Sequence, residues 1–194
     1  MNVSNAIEYR RHIIKVMQSK DGWKARALRG SKIASDIVQE ATKDAAIAAV
    51  KQILDDRATE LRSSRGTDDY PCQQEVREAL KQIRPSDSQR LMLEAHIAAA
   101  DRVLTATQLA LAAGYDDYVV ANGQYGSLGR ALAEEMEWEP AQRSDGSPIW
   151  TFALATDGSE QPTSEGAEIA SHWRWRLRPE VAEAWMSIVA SGGG

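Results

Sequence analysis

Apolar positions recur along this chain at two spacings, and the spacings divide it. Residues 4–18 place Ala6, Tyr9, Ile13 and Val16/Met17 three to four apart, which predicts an amphipathic helix with Arg10, Arg11 and Lys15 on its other face. Residues 31–40 read as a further helix. Thr42 is placed to cap another, running to about residue 63 on Ile47, Val50, Leu54, Ala58 and Leu61. Turn chemistry in SSRGTDDYPC marks a loop over 63–72, followed by a short helix over 73–83 that stops at Arg84-Pro85. Beyond Pro85, Ser86 with Gln89 and Thr105 with Gln108 have the spacing of capping boxes. The first opens a helix with Leu93, Ile97 and Ala100 inward. The second opens a short helix over 106–113 that Gly114 terminates. Asp116 or Asp117 then caps a helix of about five turns with Ala121, Tyr125, Leu128, Leu132 and Met136 on one face.

The spacing changes to two after Pro140. Residues 149–155 alternate through Trp150, Phe152 and Leu154. Residues 172–178 set Trp173, Trp175 and Leu177 against His172, Arg174, Arg176 and Arg178. The pair predicts an antiparallel hairpin whose connection, 156–171, forms a wing, and Pro179 opens a last helix on Val181, Ala184, Trp185 and Ile188. The expected fold is mostly α with a small antiparallel β-hairpin. A helical N-terminal domain (1–84) with a basic first segment precedes a winged helix-turn-helix domain (85–191).

Charge sharpens this division. The net charge of −5 combines +4 over residues 1–84 with −9 over 85–194, and residues 1–32 alone carry +6. Phosphate binding is driven by cations, so the acidic half is the weaker partner for a nucleic acid and the N-terminal segment the stronger. One cysteine, Cys72, excludes an internal disulfide framework and a cysteine-based metal site. No apolar run approaches a membrane span, and the N-terminus lacks a signal peptide's apolar core, so the expected location is the cytoplasm.

A short helix, a glycine turn and a longer helix is the helix-turn-helix pattern. On the longer helix Asn122, Gln124, Ser127 and Arg130 are the side chains able to meet base edges or phosphates. Arg174, Arg176 and Arg178 on the last strand could grip phosphate, or pair with Asp157, Glu160, Glu165 and Glu168 of the same hairpin. Arg10, Arg11, Lys15, Lys24, Arg26 and Arg29 form the basic N-terminal candidates. Gly123, Gly126 and Gly129, each unfavourable in a helix, imply close packing or the close approach of a ligand backbone.

The stretches LTATQLALAAGY, NGQYGSLGRALAE and RWRLRPEVAEA, within residues 86–186, resemble a winged-helix-like module that accompanies bacterial HNH restriction-type endonucleases. The resemblance implies a winged-helix fold and an association with DNA. It does not carry the nuclease over, because an HNH centre needs a His/Asn cluster with a metal and the only histidines are His12, His96 and His172. No GxSxG, P-loop, HExxH or Cys/His metal spacing is present, so the expectation is a non-enzyme with no cofactor and no metal. Two readings remain open. One is a DNA-binding protein of regulation or host defence, with a homodimer as one form. The other is a protein-binding inhibitor or adaptor, such as a phage anti-defence protein, whose acidic half mimics nucleic acid through Glu160, Glu165 and Glu168 and binds a protein of a nucleic-acid-handling complex.

Overall fold

Three two-residue turns, at Arg10-Arg11, Lys20-Asp21 and Gly30-Ser31, fold the first forty residues into a sheet in the computed structural model, which describes residues 6–66, 68–158 and 173–192. Strands β1 (Ala6–Tyr9), β2 (His12–Ser19), β3 (Gly22–Arg29) and β4 (Lys32–Ile33) pair antiparallel in that order, and β5 (Val38–Glu40) also pairs with β3. Arg10 and Arg11 both take left-handed φ angles, 44° and 56°, as a tight hairpin turn matched to strand twist demands. Gly22 is obligatory at its turn: φ is +121° and a Cβ there would stand 2.4 Å from the carbonyl oxygen of Glu40.

These strands correct the helical reading of residues 4–18 and 31–40. Ile14 and Val16, with their β3 neighbours Ala25 and Ala27, are buried on one face under α1 (Lys43–Ser63). Ile13, Lys15 and Met17 point the opposite way, which is the period of a strand. Thr42 caps α1 by accepting from the Ala45 N–H at 3.2 Å, and Ala46, Val50 and Leu54 are its buried positions. Sheet and helix together form one compact unit, residues 1–65.

The second unit, residues 66–194, therefore begins nearer the N-terminus than Pro85. Its first helix, α2 (Gln73–Ile83), packs on the last helix, α6 (Pro179–Ala190). Between them come α3 (Asp87–Ala98), β6 (Val103–Thr105), α4 (Ala106–Ala112), α5 (Tyr118–Glu135), β7 (Ala155–Asp157) and β8 (Arg174–Leu177). The capping boxes at Ser86/Gln89 and Thr105/Gln108 form as the spacing implies, and Asp117 caps α5 by accepting from Val119 N–H at 2.8 Å. Gly114 turns the chain between α4 and α5 at φ +75°. Residues 150–153 form a 3₁₀ turn instead of a strand, and β6 is a strand the alternation does not announce. With β6 the hairpin becomes a three-stranded antiparallel sheet, order β6-β8-β7.

The core of this unit collects Val76 and Leu80 of α2, Leu93 of α3, Leu109 of α4, Tyr125, Leu128 and Leu132 of α5, Leu177 of β8 and Trp185 of α6. His96 lies at its centre, fully buried. The Tyr125 hydroxyl donates to His96 Nδ1 at 2.8 Å, and His96 Nε2–H donates to the Trp175 carbonyl at 2.9 Å. The Trp175 carbonyl can only accept, which puts the proton of a neutral ring on Nε2, and burial holds the imidazole pKa below its usual value against the Trp175 and Arg102 carbonyls, which raise it. One side chain thereby ties α3 to α5 and to β8. Among the described residues no helix is long and apolar enough to cross a membrane.

Candidate nucleic-acid interface

In the first unit, the face of the sheet turned away from α1 carries Lys15 from β2 and Lys24 and Arg26 from β3. The register sets Lys15 directly opposite Arg26, and Met17 opposite Lys24. Like charges at directly opposed positions destabilise a sheet. No carboxylate among the described residues reaches ion-pair range of any of the three, although Glu8 of β1 shares their face. Around them Met17 and Ile33 are largely exposed. The face is cationic and partly apolar.

The other basic candidates of this unit are committed elsewhere. Arg10 forms an ion pair with Asp55 of α1, and the Tyr9 hydroxyl donates to the same carboxylate at 2.8 and 2.9 Å. These bonds, Tyr9's first, hold the Asp55 carboxyl below its ordinary pKa, and the bond to Asp55 pushes the Tyr9 hydroxyl up. Arg11 and Arg29 each have partners within the chain, and Arg29 lies on the α1 side of the sheet, opposite Lys32. The structure thus brings together three of the six N-terminal candidates.

In the second unit, α5 presents Val119, Val120, Gly123, Ser127, Arg130 and Glu134 to solvent, with Asn122 and Gln124 half-buried beside them. Gly123 and Gly126 have open space where a Cβ would stand. Gly129 does not: its Cβ would lie 2.2 Å from the carbonyl oxygen of Trp150. Close packing explains the last glycine of the series and leaves the first two bare. Arg130 is paired along the helix, its Nε 2.7 Å from Glu134 Oε1 and its guanidinium 5.6 Å above the Trp150 ring. Between Val103 and Gly129 there is no Lys or Arg, and the exposed side chains there include Leu111, Val119 and Val120.

The arginine row of β8 splits. Arg174 and Arg176 stand exposed on the face of the sheet opposite Trp175, beside Thr105 and Thr156, and no acid among the described residues pairs with them. Arg178 is turned inward, its side chain 13% exposed. Its guanidinium stacks 3.8 Å from the Tyr70 ring, donates to the Phe152 carbonyl at 2.8 Å and pairs with Asp68 at 3.2 Å. Burial opposes the Asp68 charge, but bonds from the Tyr70 N–H and from Arg178 outweigh it and leave the carboxyl below its usual pKa. Arg178 is a structural clasp unavailable to phosphate. Alternation on one strand could not show this, because the partners Asp68 and Tyr70 come from a loop more than a hundred residues away. Glu160, Glu165 and Glu168 lie outside the described residues.

Among the described residues no three His, Cys, Asp or Glu side chains are placed to hold a metal ion. No family model, curated protein or solved structure matches this chain.

Proposed function

We propose that the protein is a non-catalytic DNA-binding protein of winged-helix type, acting in regulation or host defence. The observation that carries the reading is the cross-strand pair Lys15/Arg26 with Lys24 beside it, cations held together with no acid among the described residues in ion-pair range. Such a face is unfavourable alone and is relieved by a polyanion. The order α3-β6-α4-α5-β7-β8, the sheet order β6-β8-β7 and the exposed pair Arg174/Arg176 support the winged-helix assignment. In this reading β8 contacts phosphate while Asn122, Gln124 and Ser127 face bases. The test is fluorescence anisotropy of a labelled random-sequence duplex at about 50 mM and about 200 mM salt, the range over which phosphate contacts show their dependence. Binding should collapse with salt and weaken at least about tenfold in the triple variant K15A/K24A/R26A. No binding at the lower salt refutes the proposal.

One observation favours a second reading, a protein-binding adaptor or inhibitor whose acidic half mimics nucleic acid. The stretch from α4 through the first turns of α5 exposes Leu111, Val119 and Val120 beside Asp116 and Asp117, with no Lys or Arg between Val103 and Gly129 to meet a phosphate. It is supported if the duplex fails to bind while a partner captured from source lysate is lost on Leu111→Asp.

A further inference from the structure

Where α5 ends, Glu137 takes a left-handed φ of 50° and the Trp138 N–H bonds back to the Ala133 carbonyl at 3.0 Å, which reverses the chain. The returning segment is pinned as a narrow loop: the Ile149 N–H reaches the Ala141 carbonyl at 2.9 Å, and Arg143 holds the carbonyls of Ser147, through its backbone N–H, and of Pro148, through its guanidinium. Between helix end and loop lies an open cavity of about 430 Å³. Trp138 and Trp150, Pro140 and Pro148, and Glu134, Glu137 and Glu139 line it, and no Lys, Arg or His among the described residues does.

Four features of this cavity favour one kind of guest. Indole faces attract cations electrostatically. Glu139 adds an exposed negative charge, beside Glu134, whose carboxylate is shared with Arg130, and Glu137, which has a partner within the chain. The C-terminus of a long helix contributes partial negative charge at the same place. The walls are already fixed by backbone hydrogen bonds, so little ordering accompanies binding. The chain displays the chemistry at the rim itself, where Arg130 lies over Trp150 while bonding Glu134.

We propose that this cavity receives the cationic side chain, Lys or Arg, of a basic segment of a partner protein. The open mouth admits the apolar stem and leaves the flanking backbone outside. Arg130 is an internal competitor for one indole and one carboxylate. This site is independent of the duplex-binding proposal, since a cavity lined by Glu134, Glu137 and Glu139 disfavours phosphate.

The experiment titrates the full-length ¹⁵N-labelled protein and follows the indole N–H resonances of Trp138 and Trp150, assigned with W138F and W150F. The probes are N-acetyl-lysine and N-acetyl-arginine methylamides, the neutral N-acetyl-glutamine methylamide, choline, and a short Lys/Arg-rich peptide. Both cationic amides should move both indoles and the neutral one neither, with the peptide binding most tightly. Glu139 is exposed, so E139Q keeps the fold; it should weaken the peptide about 3- to 5-fold, whereas R130Q should tighten it by a similar factor. Equal shifts from the neutral amide, or no response of affinity to both E139Q and R130Q, overturn the proposal. Choline binding as tightly as the peptide overturns the assignment to a protein segment.

Discussion

The three glycines of α5 are spaced identically, yet alanine should act on them with opposite sign. At Gly123 and Gly126 a Cβ meets nothing within 4 Å and the backbone is helical, so each substitution gains the helix-propensity difference, roughly 1 kcal/mol. At Gly129 the same gain is set against a Cβ placed 2.2 Å from the Trp150 oxygen and 2.8 Å from its carbonyl carbon. That contact is with backbone, and the 3₁₀ turn cannot retreat. Tyr70 donates to the Ala153 carbonyl at 2.6 Å, and Arg178 to the Phe152 carbonyl at 2.8 Å. Overpacking of this kind costs about 1–3 kcal/mol. The close contact puts Gly129→Ala at the upper end, for a net loss of about 1–2 kcal/mol. Differential scanning calorimetry of the three variants should show Tm of the second unit rising by roughly 3–5 °C for Gly123→Ala and Gly126→Ala and falling for Gly129→Ala. A neutral or raised Tm for Gly129→Ala refutes the packing argument. If a ligand backbone approaches the bare stretch, Gly123→Ala and Gly126→Ala should also bind duplex more weakly while being more stable, a combination that misfolding cannot produce.

Tyr125→Phe removes the donor to His96 Nδ1 and leaves a buried acceptor unsatisfied, for a loss of about 1–3 kcal/mol in urea unfolding. Burial holds His96 below the ordinary imidazole value of 6.5, so the unfolded chain binds its proton more readily than the folded one. Stability is complete above that value and falls as pH drops below it. His96→Gln should flatten that decline between pH ~7 and ~5 in the calorimetric transition of the second unit. Arg178→Ala should cost about 2–3 kcal/mol because it strips a buried clasp of its stack, ion pair and carbonyl bond. Arg174→Ala, on an exposed side chain, should stay within about 0.5 kcal/mol of the parent and act on duplex affinity instead.

The second unit is largely legible because its helices carry punctuation that works locally. Ser86, Thr105, Gly114 and Asp117 stop or start helices through bonds to residues two or three positions away, and a sequence displays those directly. The first unit misleads for the same kind of reason. Tyr9, Ile13 and Val16 happen to lie three to four apart, but between them sit two left-handed arginines that a helix cannot accommodate. The informative signals are the Asp21-Gly22 pair and the ten-residue interval between turns. Strand β6 is three residues long and exists only because β8 pairs with it from seventy residues downstream. The cavity at the end of α5 is invisible as well, since Glu134 and Trp150 meet through a chain reversal rather than a motif.

Where the cations stand also sets how duplex binding must depend on salt. Seven Lys and Arg follow Pro85, and the site residues among them reduce to Arg174 and Arg176 once Arg130 and Arg178 are seen to be engaged within the chain. Two phosphate contacts give a slope of log K against log salt near −1.8, because each released counterion contributes about −0.9. Adding Lys15, Lys24 and Arg26 raises the count to five and the slope to about −4.5. The triple variant K15A/K24A/R26A should therefore flatten a steep slope to the shallow one, while R174A/R176A should remove about two contacts from either. A parent slope near −2 that the triple variant leaves unchanged makes the sheet face a bystander. The opposed like charges of Lys15 and Arg26 would then call for a different anionic partner.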